Sequence, residues 1–412
     1  MSAPAVSVVV PYFENQHGLD RLLAALALQD HPVAEMEVVV SDDGSAVPPV
    51  LPPLPFPSSV VRQENLGFRA GTARNLGAGA SSGEVIVFLD GDMIPEPGFL
   101  TALLAGVRDA DDGHGALAVG ARHHADLSGC DVPAVVEWIS TGSAPGARRL
   151  EDPQWLAQGY ERTADLSRAG TEDFRLVISA LLAVDRRLFE RCGGFDESLV
   201  GYGGEDWDLA YRCWQLGAQF RHVPSARAWH DGPDLAGRGA SRAVKDAETL
   251  ALAQCIPLLT TRGAGMVFEQ PWVVVRVHGH DDDAEAYLGA AHLLRDTDAG
   301  IWFVDREDVP AALAADPRVR TGEPPREVLD RAVHLAEVHA PLRLDVPLRV
   351  WCGEGESEVP GLLSVRDLRA VRRGESAPVR RPATCSGLAD PGVPVHAADT
   401  DTRLEDRVGH AR

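Results

Sequence analysis

The chain lacks the features that export, membrane insertion or nucleic-acid binding would require. Its 412 residues include six cysteines (130, 192, 213, 255, 352 and 385), with no C-x-x-C pair and no framework spacing among them. Reduced thiols are therefore expected. No apolar run reaches the roughly 18–20 residues that cross a bilayer. Met1-Ser2-Ala3-Pro4-Ala5 has neither the basic start nor the apolar core of a signal peptide. Positive charge is scarce: 39 Lys and Arg face 61 Asp and Glu, for a formal net charge of -22. That balance excludes a general nucleic-acid surface, which needs clustered positive charge. The expectation is a cytoplasmic protein with no transmembrane segment and no nucleic-acid partner. A nucleotide is still admissible, because a metal and one or two arginines can neutralise a diphosphate locally.

What is present is an alternating pattern. Residues 6–10 are a valine-rich run ending at Pro11, and 37–40 are a second such run, closed by Ser41-Asp42-Asp43-Gly44-Ser45. Continuous apolar runs of this kind predict strands buried on both faces. Leu19, Leu22, Leu23, Leu26 and Leu28 between them form a helical stripe, and a small-residue helix is predicted over 71–80 before a further strand at 85–89. Alternating strands and helices predict an α/β fold with a mostly parallel sheet. Ligands of such sheets bind beyond the carboxyl ends of the strands, where segments 11–15, 41–45 and 90–92 fall. Six prolines in residues 47–59 predict a stiff, extended connector. Residues 121–170 read as loop-rich, and a strand is predicted at 178–184. The pattern restarts after 265 with strands at 273–277 and 301–304 and helices at 284–295 and 326–339. The expected division is a catalytic domain over 1–265, a small α/β module over 266–345 and an irregular, partly disordered tail over 346–412.

Two acidic stations carry the chemistry. Phe88-Leu89-Asp90-Gly91-Asp92 ends an apolar run, and Gly91 lets the backbone bend so that both carboxylates face one way. Such hard oxygen ligands suit Mg²⁺ or Mn²⁺, although a strand-end turn would use the same residues. His230 in Ala228-Trp229-His230-Asp231 is a further candidate ligand, equally readable as structural, and its imidazole shifts the preference toward Mn²⁺. About 115 residues past the first station, Gly203-Gly204-Glu205-Asp206-Trp207-Asp208 opens an amphipathic helix. The free N–H groups and the dipole at that helix start favour ionised carboxylates, available as a general base or simply as caps. Tyr202-Gly203-Gly204 lets the backbone approach a ligand closely, and Asp208 reads as a surface charge paired with Arg212.

Together with Val10-Pro11-Tyr12-Phe13-Glu14-Asn15 and Asn65-Leu66-Gly67-Phe68-Arg69-Ala70-Gly71-Thr72-Ala73-Arg74-Asn75, these motifs resemble an inverting family 2 glycosyltransferase of the GT-A fold. The segments Gly193-Gly194-Phe195-Asp196 and 203–208 resemble the acceptor half of that family and the galactosyl- and N-acetylgalactosaminyltransferases. The resemblance spans about residues 5–232. It implies that Pro11, Phe13 and Glu14 border the nucleoside of a nucleotide-sugar donor, a UDP-sugar being favoured, and that Asp43 accepts a hydrogen bond from the base. It implies further that Arg69 approaches the diphosphate, Asp90 lies near the ribose or sugar, and Asp92 and His230 hold Mn²⁺ or Mg²⁺. Asp206 would be the base, Glu205 would bind a sugar, and Trp207 and Gly204 would face the acceptor, with core packing the alternative for Trp207. Other readings are a sugar-phosphate nucleotidyltransferase, for which Pro11-Tyr12-Phe13-Glu14-Asn15 lacks the glycine-rich phosphate loop, and a non-catalytic nucleotide-sugar-binding protein. His278-Gly279-His280-Asp281-Asp282-Asp283 reads as a solvated loop rather than a second metal site. Arginines 366, 369, 372, 373, 380 and 381 read as a solvated patch.

Overall fold

A computed structural model describes residues 5–201, 203–233, 242–263, 265–353, 355–375, 379–380 and 395–397. Tyr202 and Arg381 lie outside the described residues. The chain divides into two compact units, one of residues 1–214 and 218–251 and one of residues 215–217 and 252–412.

The first unit is built on β1 (Val6–Tyr12), α1 (Gln16–Leu26), β2 (Met36–Asp42), β3 (Ser58–Arg62), α2 (Ala70–Gly79), β4 (Val85–Leu89), β5 (Met93–Pro95) and α3 (Phe99–Ala110). It continues with β6 (Ala116–Asp126), α4 (Val132–Thr141), β7 (Arg148–Arg149), α5 (Gln154–Arg162), β8 (Leu181–Asp185), α6 (Arg186–Cys192), α7 (Glu205–Gln215), β9 (Gln219–Asp231) and α8 (Arg242–Cys255), within which the boundary between units falls. Its sheet runs in the order β3-β2-β1-β4-β8-β6-β9-β5, with β7 beside β6. The first four strands are parallel; β8 opposes both β4 and β6, and β6 and β9 are parallel. Six of these strands therefore point the same way, as the both-face-buried valine runs predicted. Val6, Val8, Val9 and Val10 are fully buried; Leu19, Leu22 and Leu23 of α1 pack with Val6, Val8 and Val10, while Val9 faces Gly77 of α2. Each such side chain contributes about 1.5–3 kcal/mol by leaving water, and Leu22→Ala would cost about 2–5 kcal/mol. Ser7 is tolerated inside β1 because its Oγ donates to Glu37 (2.7 Å) and accepts from Gly83 N–H (2.7 Å). The proline connector leads from β2 to the exposed edge strand β3, pinned where Gln16 exchanges two 2.9 Å bonds with the Val50 backbone.

Several expectations need correction. Residues 121–170 are not mainly loop: β6 continues to Asp126 past a register shift between Gly120 and Ala121, alongside β9, and α4 and α5 follow. The shift interrupts the alternation that marks a long strand.

The second unit adds β10 (Val273–Val277), α9 (Asp283–Leu293), β11 (Ala299–Phe303), β12 (Val319–Thr321), α10 (Arg326–Arg331), β13 (His334–Val338), β14 (Leu342–Leu344), β15 (Glu356–Val359), β16 (Leu363–Asp367), α11 (Leu368–Arg372), β17 (Val379–Arg380) and β18 (Val395–Ala397). Its main sheet has the order β12-β11-β10-β13-β16-β15-β17. The helix expected over 326–339 ends at Arg331, and His334–Val338 is a central strand between β10 and β16. The residues taken for an irregular tail supply β15 and β16, short strands whose polar residues hide their alternation.

Candidate active site

The parallel strands aim their carboxyl ends at one cavity of about 1120 Å³, all of whose lining comes from the first unit. Pro11, Phe13, Asp43, Asp90, Asp92, Gly204, Glu205, Asp206, Trp207 and His230 line it. Glu14 and Arg69 are not among the lining residues. Glu14 has a left-handed backbone (φ 51°), its N–H donates to Ser45 Oγ (3.0 Å), and its carboxylate accepts from Ala46 N–H. It braces the turn after β2 rather than facing the cleft. Arg69 is turned to the same turn: its N–H donates to Asp43 Oδ2 (3.0 Å), its guanidinium lies 3.5 Å from Asp43 Oδ1, and it also donates to the Glu64 carbonyl. Asp43 Oδ1 additionally accepts from Gln63 Nε2 at 2.6 Å.

A buried cation of the cleft is Arg74, a residue of the 65–75 motif to which the sequence assigns no role. It is 3% exposed, with Nη2 2.7 Å from Asp90 Oδ1 and Nη1 3.0 Å from Glu205 Oε1. One guanidinium thus joins both acidic stations, and it lies 5.4 Å from the Phe195 ring. The carboxylates raise its already high proton affinity further against burial. The small residues at the start of α2 make this approach possible: a Cβ on Gly71 would meet Phe195 Cβ at 3.2 Å and Glu205 Cβ at 3.6 Å.

At the first station, β5 pairs antiparallel with β9 so that Met93 faces His230, and Asp231 N–H donates to the Asp92 carbonyl (3.0 Å). His230 Nε2 then stands 3.3 Å from Asp92 Oδ2. Its Nδ1–H donates to the Gly232 carbonyl at 3.0 Å, which orients the ring with Nε2 toward Asp92. The two atoms are close enough to share one divalent ion at bond lengths of about 2.1 Å, so this donor set fits Mn²⁺ or Mg²⁺. The strand end is held by Asp231, which pairs with buried Arg21 (2.6 Å) and accepts from Leu127 N–H (2.8 Å).

At the second station, Gly203 and Gly204 take φ values of 90° and 94°, which an L side chain resists. They turn the chain into α7 with Glu205 and Asp206 in its first turn. Asp206 accepts from Trp207 N–H (2.8 Å) and from the Ser179 backbone. Burial pushes its carboxyl up to about 7, with the Glu205 charge acting the same way and Arg74 opposing both. The helix start thus does not hold it in the ordinary carboxylate range, and it is about half ionised at neutral pH. A helix dipole is worth about 0.3–1 kcal/mol, whereas each tenfold change in proton affinity is about 1.4 kcal/mol, so burial wins. Asp208 also departs from expectation: its pairing with Arg212 holds (2.7 Å), but the carboxylate is fully buried. Arg122, Trp155 and Ser179 complete the walls, with Lys245 and Glu248 of α8, whose Nζ and Oε2 lie 2.7 Å apart. No helix among the described residues is long and apolar enough to cross a membrane.

Residues 7–126 match the family described as glycosyl transferase family 2, and residues 172–230 match the one described as the N-terminal domain of galactosyltransferase. The chain is 32% identical over 232 residues to a validoxylamine A glucosyltransferase of Streptomyces hygroscopicus subsp. jinggangensis, covering 51% of this chain and 51% of that protein. It is 27% identical over 243 residues to a hyaluronan synthase of Pasteurella multocida, covering 55% of this chain and 24% of the synthase. The chain therefore spans about half the length of the first relative and a quarter of the second. Among solved structures, a mannosyltransferase of Pyrobaculum calidifontis in complex with GDP-Man and Mn²⁺ aligns with a TM-score of 0.40 and 19% identity, over 61% of this chain and 63% of that one. Residues 7–126 are thus similar to glycosyl transferase family 2, and residues 172–230 to a galactosyltransferase-type segment.

Proposed function

We propose that the chain transfers a sugar, with inversion, from a nucleotide-sugar donor, a UDP-sugar being favoured, to a hydroxyl of a glycan, natural product or peptide. What carries this reading is the meeting of both acidic stations in one cavity, with Arg74 bonded to each. Phe13, half exposed at the cavity wall, offers a ring to the nucleobase, and Asp43 offers it an acceptor. A divalent cation held by Asp92 and His230, Mn²⁺ being favoured by the imidazole, would supply Lewis-acid neutralisation of the charge on a departing diphosphate.

The remaining work falls to side chains. Asp206 takes the proton of the acceptor hydroxyl as that oxygen bonds to the anomeric carbon and the bond from that carbon to the diphosphate oxygen breaks. A carboxyl poised near 7 suits this role, because it is both substantially ionised and basic at neutral pH. Glu205, held by Arg74, binds a sugar hydroxyl, and Trp207 gives the acceptor a flat face. The test is UDP release from a panel of UDP-sugars with Mn²⁺. Asp206→Asn is expected to lower turnover by at least 100-fold while UDP binding persists, and Asp92→Asn to weaken Mn²⁺ binding. Unchanged turnover in either variant would sink the mechanism.

A further inference from the structure

A second cavity, of about 520 Å³, opens beside the first and shares Trp155 and Trp207 with it. Its other walls are charged and already organised. Asp173 is 6% exposed, with Oδ1 2.5 Å from Arg162 Nη2 and Oδ2 accepting from Gly170 N–H at 2.7 Å. Glu172 pairs with Arg175 at 2.5 Å, and the Arg175 guanidinium lies 5.0 Å from the Phe174 ring, which in turn meets Trp207 edge-on at 6.5 Å. Trp207 thus packs on Phe174, which is covered in turn by Arg175 of the second cavity's wall.

The backbone leading to this wall is held in a costly shape. Ala164, Asp165 and Leu166 take φ values of 48°, 55° and 63°, three successive non-glycine residues in the left-handed region. Such a turn persists only when its surroundings over-determine it. Here Leu166 N–H donates to Thr163 Oγ1 (3.1 Å), Asp165 meets His222 Nδ1 (2.7 Å), and the His222 ring stacks on Tyr160 with centroids 3.7 Å apart.

The lining selects a ligand class. Two acids and two arginines sum to no net charge, which gives no advantage to a phosphate or a carboxylate. Indole faces favour the C–H face of a ring, and carboxylates, each oxygen of which can accept more than one hydrogen bond, favour hydroxyl donors. A wholly apolar occupant would desolvate those carboxylates without offering them a donor. We propose that this second cavity is an acceptor subsite for a neutral, hydroxyl-rich ring, so that the acceptor is at least two rings long. Its reactive hydroxyl stands at Asp206, and its second ring lies between Trp155 and the carboxylates of Glu172 and Asp173. This proposal rests on the glycosyltransferase reading above.

The test uses the full chain with UDP and MnCl₂ on an array of mono- to tetrasaccharides and aryl monoglycosides, repeated with Trp155→Ala and Glu172→Gln. UDP release from UDP-sugars in water, without acceptor, is measured for each protein. Wild type is expected to bind certain disaccharides at least tenfold more tightly than their component monosaccharides, and both substitutions to shrink that ratio to about twofold. Equal binding of one- and two-ring glycans, an unshrunk ratio in both variants, a preference for aryl monoglycosides, or no glycan bound while UDP is still released would each overturn the subsite and spare the transferase reading. Absence of UDP release from every UDP-sugar would remove the transferase reading, and the subsite with it.

Discussion

Replacing Arg74 by methionine tests the electrostatic design of the cleft most directly. The residue is 3% exposed, and its guanidinium is 2.7 Å from Asp90 and 3.0 Å from Glu205. Removing one partner of a buried ion pair costs about 3–5 kcal/mol. Two pairs share this partner, so the upper part of that range applies, less what the carboxylates recover by taking up a proton. Proton uptake is the second signature. Arg74 opposes burial and Glu205 in setting the Asp206 carboxyl, which stands at about 7, so its loss raises that value. Because the base works only when deprotonated, the acidic limb of kcat/KM moves to higher pH. A tenfold gain in proton affinity would lower the ionised fraction at pH 7 from about one half to about one tenth. The assay is UDP release against pH, together with the denaturant midpoint of each protein. Arg74→Lys keeps the charge without the fork that reaches both carboxylates, so it should restore the pH limb more fully than the midpoint. A methionine variant with an unmoved limb and an unmoved midpoint would refute the argument.

Two further outcomes are expected. Asp206 binds its proton more tightly in the folded chain than at the ordinary 3.8, so the stability this provides is complete below pH 3.8 and is lost as pH rises through about 7. At about 1.4 kcal/mol per tenfold change in affinity, Asp206→Asn should stabilise the fold at pH 8 by on the order of 4 kcal/mol, and the gain should vanish near pH 4. A pH-independent difference in urea midpoints would contradict it. At Gly77 of α2, an added Cβ would lie 2.4 Å from Val9 Cγ1 and 3.3 Å from Ser41 Cβ. Gly77→Ala should therefore destabilise by about 1–3 kcal/mol from overpacking, offset by up to about 1 kcal/mol of helix propensity; a raised midpoint would show that α2 lifts freely from the sheet.

The strands that position the cleft were legible because burial on both faces leaves a compositional mark: β1 and β2 each hold three consecutive valines, and β4 is Val-Ile-Val-Phe-Leu. The turn into α7 was legible because two glycines precede two acids. What was not legible depended on partners distant in sequence. Arg74 sits 16 residues from Asp90 and 131 from Glu205, and nothing local distinguishes it from Arg69, which turns to Asp43 instead. His334–Val338 extends a helical pattern in the sequence, yet it becomes a strand because β10 and β16 flank it. Asp208 reads as solvated from its i+4 partner, although that pairing is equally served inside the protein, where both side chains lie.

Lys245, which lines the large cavity beside Glu248, is the only lysine in the sequence. Arginine carries every other basic charge on the side chains apart from histidine. Apart from a free α-amine, the protein therefore has a single primary amine, and it stands at the wall of the cleft. Reductive methylation with isotope-labelled formaldehyde would install one dimethylamino probe there, and its resonance would report what enters the cleft without any engineered residue.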